Sequence, residues 1–186
     1  AFFASLLFLG LYPSPSAEAS DLHSPRMAGL GGAAHAGPLL TDAIYLNPAY
    51  ASFLPAYSLS SSYLKFSGSG NPGTYSSPEQ FHGHNLAVSI LDCRNEFFQA
   101  GVGYAWREDA RMLHVGASKA VVKRVGIGIG AKFFFPKDTT GKMINDAIAS
   151  ATLIAASWLH VVGVVDNIFE TNAGRSIGLH REYVLG

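Results

Sequence analysis

Alternation with a period of two runs through the middle of the chain. Over 97–107 the even positions are Phe98, Ala100, Val102, Tyr104 and Trp106, and the odd ones are Phe97, Gln99, Gly101, Gly103, Ala105 and Arg107. Over 125–135 the order inverts: Val125, Ile127, Ile129, Ala131, Phe133 and Phe135 alternate with Gly126, Gly128, Gly130, Lys132 and Phe134. Successive side chains of a strand point to opposite faces, so each segment has one apolar face and one small or polar face. Aromatics near the strand ends with aliphatics between them are the outward signature of a transmembrane β-barrel. The competing reading is the core of a soluble β-sandwich.

Eight candidate strands follow, at 56–66, 82–92, 97–107, 111–121, 125–135, 147–156, 159–168 and 176–185. Turn-forming residues separate them: Ser67 to Gly73, Arg94-Asn95-Glu96, Glu108-Asp109-Ala110 and Thr139-Thr140-Gly141. Strands of about 9–11 residues suit a tilted membrane barrel, in which short turns on one rim alternate with longer loops on the other. The segment 147–165 has only His160 as an ionisable residue and could be a membrane helix. Its valine-rich second half and Ala156-Ser157-Trp158 favour a hairpin. Lys119 interrupts the apolar face of Leu113, Val115 and Ala117, which suits either a side chain snorkelling at headgroup level or a slip of register in this strand.

The N-terminal third reads differently. Ala1 to Leu11 is apolar and too short to span a bilayer, and Ala17-Glu18-Ala19 has small residues at a cleavage site, so 1–19 reads as a secretory signal peptide without its basic start. Residues 20–55 lack strand character. A short helix is expected across 39–46, stopped at Asn47-Pro48 because the residue before proline is pushed out of the helical region. This segment is expected to be a plug or clamp at the start of the sheet, and 56–186 its barrel strands.

Charge and composition remove several function classes. Charged residues make up 14% of the chain, against about 25% in ordinary soluble domains. The 13 basic and 13 acidic residues cancel, which gives no footprint for nucleic acid. Cys93 is the lone cysteine, so there is no internal disulfide framework. His82 and His84 share a strand face, but no further ligand at matching spacing completes a metal site. Gly126, Gly128 and Gly130 are one face of a strand rather than a dinucleotide loop, which would need a strand before it and a helix after it. Asp138 to Lys142 lacks the upstream glycine of a phosphate-binding loop. No Ser-His-acid set has a spacing logic. The expectation is therefore no enzyme, no cofactor and no metal.

Gly29-Leu30-Gly31-Gly32-Ala33 followed by Asp42-Ala43-Ile44-Tyr45-Leu46-Asn47-Pro48-Ala49 resembles the mature N-terminus of FadL-type outer-membrane transporters, and more closely that of their PorV-like relatives. Val161 to Ile168 and Ser176 to Leu185 resemble later strands of the same family. The chain departs from the family where Tyr50-Ala51-Ser52-Phe53 replaces Gly-aliphatic after the Asn-Pro-Ala turn, and it has fewer strands. The resemblance implies an all-β fold: an antiparallel transmembrane β-barrel, of which about eight strands are visible, with a short N-terminal plug segment. The expectation is that they form the N-terminal part of a larger barrel, with a degenerate short barrel as the alternative.

The same resemblance implies location in the bacterial outer membrane, with membrane lipid as a partner, and passive transport or binding of a hydrophobic small molecule such as a long-chain fatty acid. A non-transporting scaffold or shuttle for an exported protein partner is the alternative. The plug positions it singles out are Gly31, Gly32, Asp42, Asn47 and Pro48. Alternation places Gln99, Arg107, His114 and Lys132 on the lumen side, where small residues are expected to leave room beside the plug.

Overall fold

A computed structural model describes residues 35–38, 40–66, 83–107, 110–137, 142–176 and 179–186. The expected signal peptide, Gly31, Gly32, His82 and the Ser67 to Gly73 loop lie outside the described residues. Eight strands form one antiparallel sheet in chain order: β1 Tyr57–Phe66, β2 Gly83–Asp92, β3 Gln99–Arg107, β4 Ala110–Val122, β5 Val125–Pro136, β6 Ile144–Ala156, β7 Leu159–Asp166 and β8 Glu182–Leu185. Each strand pairs with its neighbours in sequence. The sheet is not closed: among the described residues β1 pairs only with β2, and β8 only with β7.

Apart from the last, the strands fall within three residues of where the alternation predicts them. The stretch 147–165 is the β6–β7 hairpin, turning at Ser157-Trp158, and no helix among the described residues is long and apolar enough to cross a membrane. Two-residue turns at Lys123-Arg124 and Ser157-Trp158 each follow an irregularity in register, Ala120/Val122 in β4 and Ile154/Ala156 in β6. Such bulges re-aim a strand as it enters a tight turn. Lys119 is exposed on the outer face opposite Ile127, close to the first of these turns.

One predicted strand differs. Among the described residues of 176–185 only Glu182–Leu185 is strand, and a short helix α2, Asn172–Ser176, precedes it. Gly174 N donates to Thr171 Oγ1 (3.0 Å) and Leu179 N to Gly174 O (3.0 Å), so the chain closes a turn before reaching the sheet. The hydroxyl of Thr171 caps the first turn of that helix, and this local bonding outcompetes extension of the strand.

The two faces of the sheet are unlike. The outer face exposes Leu59 (64%), Ile90, Val102, Val115, Ile129 (67%) and Leu153. Exposed aromatics sit at both of its rims: Tyr57, Phe97, Phe98 and Trp158 by the tight turns, and Tyr63, Trp106, Phe135 and Tyr183 by the loops. The opposite face buries polar and charged groups: Asn85, Ser89, Gln99, Arg107, His114, Ser118, Lys132, Asp146, Ser150, Thr152 and Asp166.

The N-terminal segment covers that polar face. It runs through a single turn of 3-10 helix at Leu40–Asp42, a short helix α1 at Ala43–Leu46, and a second 3-10 stretch at Pro48–Phe53. Helix α1 stops at Asn47, whose backbone is extended (φ −158°), and Pro48 opens the next stretch, as the restriction on a residue before proline dictates. All four residues of α1 are buried. They join Ala87, Leu91, Ala105, Met112, Phe134, Ile144 and Leu179 in one apolar cluster.

Candidate functional site

Glycines make the seat on which the N-terminal segment lies. A Cβ built on Gly128 would stand 2.5 Å from the Pro48 carbonyl carbon and 2.8 Å from Ala49 Cα. On Gly126 it would meet Ala49 O at 2.8 Å, on Gly101 Ile44 Cγ1 at 2.7 Å, and on Gly103 Tyr45 Cε1 at 2.9 Å. None of these glycines has a positive φ, so what they provide is space rather than an unusual backbone. The sequence reading expected small residues to leave room beside the segment. The segment itself takes that room, down to a space of about 10 Å³ between Ile44, Pro48, Ala51, Gln99, Gly116 and Ser118.

Polar bonds pin the segment across its length. Asn47 Nδ2 donates to Thr152 Oγ1 (2.9 Å) and to His35 O (3.0 Å), with Asn47 fully buried. Ala49 N donates to Ser150 Oγ (2.9 Å), and Ser52 Oγ donates back to Ala49 O (2.8 Å). At the other end Thr41 Oγ1 and Ser60 Oγ share a hydrogen bond (2.7 Å), and Ser60 pairs with Ser89 (2.8 Å). The segment thus bridges β1–β2 and β6, far apart in the strand order. Buried amides and hydroxyls with partners of this kind specify one docking register.

A charged cluster lies on the same face. Lys132 Nζ stands 2.6 Å from Asp166 Oδ1 and donates to Asn167 Oδ1 (3.0 Å), with Lys132 1% exposed. Asp146, opposite Lys132 in register, accepts from Ala147 N (2.8 Å) and Phe169 N (3.0 Å). Asn167 Nδ2 donates to His180 O (2.9 Å), which ties the α2 connection back onto the sheet. An ion pair this deep holds only because hydrogen bonds satisfy its remaining atoms. The His114 ring lies 4.8 Å from the Tyr45 ring, centroid to centroid, which joins β4 to the segment. Burial pushes the Tyr45 hydroxyl up to about 12, and the nearby Asp42 carboxylate adds to the rise.

A second feature is an open groove of about 510 Å³ at the tight-turn rim, lined by Ser52, Phe53, Leu54, Pro55, Arg94, Glu96 and neighbours including Cys93. Burial pushes the Cys93 thiol up to about 11, with Asp92 adding to it, so little thiolate forms at neutral pH. Among the described residues no group of three His, Cys, Asp or Glu side chains could hold a metal ion.

The described site residues therefore share one face. Asp42, Asn47 and Pro48 lie buried on the segment, and Gln99, Arg107, His114 and Lys132 lie buried on the sheet beneath or beside it. Pro48 and Gln99 line the same small space, whereas Lys132 bonds with β7 and the residue after it. The sequence reading missed Tyr45, Asp146, Ser150, Thr152, Asp166 and Asn167. Parity marks four of them, since Asp146, Ser150 and Thr152 alternate with Ala147, Ala149 and Ala151, and Asp166 alternates with Val165; their partners it does not mark. No protein-family model, curated protein or solved structure matches this chain.

Proposed function

We propose that this sheet is the wall of an outer-membrane β-barrel with residues 40–53 as its inward plug, and that the protein passively takes up or binds a hydrophobic small molecule such as a long-chain fatty acid. The observation that carries the reading is the inverted distribution of side chains. Aliphatics are exposed on one face between two rims of aromatics, while lysine, aspartate and asparagine are buried on the other. A contiguous exposed apolar face of this extent is unfavourable in water and suits acyl chains, with aromatic rings at the two interfaces. In lipid every backbone group needs a partner, so the free edges of β1 and β8 call for further pairing that closes the sheet.

The FadL-like and PorV-like motif around Asn47-Pro48 supports the same assignment, because those residues anchor the segment that seats on the sheet. A second reading, a non-transporting scaffold that holds an exported protein, draws on the tight seating of the plug, which leaves only about 10 Å³ beside Pro48 and Gln99.

Expression of the full chain in a Gram-negative host, followed by membrane fractionation, tests the location. Outer-membrane recovery that needs detergent for release supports it; a chain that stays dispersed in buffer overturns it in favour of a soluble β protein. Uptake of labelled oleate in a host lacking its own fatty-acid transporter then separates the two functions. Accumulation above the empty-vector host supports transport, and unchanged uptake by a correctly inserted protein supports the scaffold.

A further inference from the structure

We propose that one ordered water molecule is held beneath the N-terminal segment, bridging Gln99 Oε1 on β3 and Ser118 Oγ on β4. Gln99 and Ser118 are cross-strand partners, 5% and 6% exposed, and both line the space of about 10 Å³ under Ile44, Pro48 and Ala51. Among the described residues neither Gln99 Oε1 nor Ser118 Oγ has a protein hydrogen-bond partner. The amide cannot simply turn over, because Gln99 Nε2 donates to Asn95 O at 2.7 Å.

A buried carbonyl oxygen left unsatisfied costs about 1–3 kcal/mol. The other lining side chains, Ile44, Pro48, Ala51, Leu91, Ala100 and Ala117, offer no polar group in compensation. Purely apolar cavities stay dry, but one that presents two polar atoms and has room for about one probe sphere holds a water. The water donates to Gln99 Oε1 and exchanges its second hydrogen bond with the Ser118 hydroxyl, which can act as donor or acceptor. It thereby fills the small space beneath Pro48 and joins β3 to β4 under the segment. The inference does not depend on what surrounds the outer face of the sheet.

A crystal structure of the full chain at a resolution that resolves water tests it, with the Gln99→Leu/Ser118→Ala double variant alongside. The expected result is a peak within about 3.2 Å of both Gln99 Oε1 and Ser118 Oγ, lost in the double variant. A direct Gln99–Ser118 hydrogen bond without the peak overturns the proposal. So does a peak that persists in the double variant, because something else would then hold it. If the double variant fails to fold, the wild-type density alone decides between the bridging water and the direct bond.

Discussion

Alanine at Gly128 is the sharpest probe of how the N-terminal segment is held. The added methyl would lie 2.5 Å from the Pro48 carbonyl carbon, and ordinary contact begins at 3.4 Å, so the backbone at 48–49 has to withdraw by about 1 Å. These are main-chain atoms with no rotamer to absorb the clash. The same withdrawal stretches the Ala49 N to Ser150 Oγ bond from 2.9 Å to about 4 Å, past any useful hydrogen bond. Overpacking costs roughly 1–3 kcal/mol and an orphaned buried N–H another 1–3 kcal/mol, so Gly128→Ala loses about 2–6 kcal/mol. Gly163→Ala is the control, since its methyl meets only Leu185 Cδ2 at 3.9 Å; relief of glycine's backbone entropy makes it neutral or stabilising by about 0.5–1 kcal/mol. Denaturant unfolding gives the stability difference, and limited proteolysis reads whether 40–53 becomes accessible. Equal stability and equal protection in the two variants would refute the seating argument.

Asn47→Ala removes the donor shared by Thr152 and His35 and is expected to cost about 2–3 kcal/mol in denaturant unfolding, with Asn47→Asp no better because it cannot donate. Lys132→Met strands Asp166 in the interior and should cost about 3–5 kcal/mol; adding Asp166→Asn should recover part of that loss, and no recovery would mean the ion pair is not the cause. Tyr45 has its pKa raised from 10.0 to about 12, so its contribution is complete below pH 10 and is lost as pH rises through 12. The difference is worth roughly 3 kcal/mol, and Tyr45→Phe should flatten the fall in stability over that window.

Both the strands and the sidedness of the sheet could be read from the sequence because they are properties of local alternation. Phe98 to Trp106 and Val125 to Phe135 each needed only their own period of two, and the turn at Ser157-Trp158 separated β6 from β7 without any distant contact. The break before β8 was harder to see. Thr171 and Gly174 close a helical turn whose hydrogen bonds depend on where Leu179 packs, and alternation alone cannot weigh that against a longer strand. In the candidate site, parity placed Gln99, Arg107, His114 and Lys132 together on one face, which is buried, but it was silent on what each of them touches.

Local patterning therefore determined where the strands lie, which of their faces is apolar, and that the chain breaks at Asn47-Pro48. Tertiary structure alone decided that the glycine face is filled by residues 44–53, that Asn47 reaches Thr152 across 105 positions, and that Lys132 finds Asp166. A period of two fixes the side to which a side chain points and carries no information about the partner it meets there. That partner is set by the stacking order of the strands and by the space a missing Cβ leaves open, and both exist only once the sheet has formed.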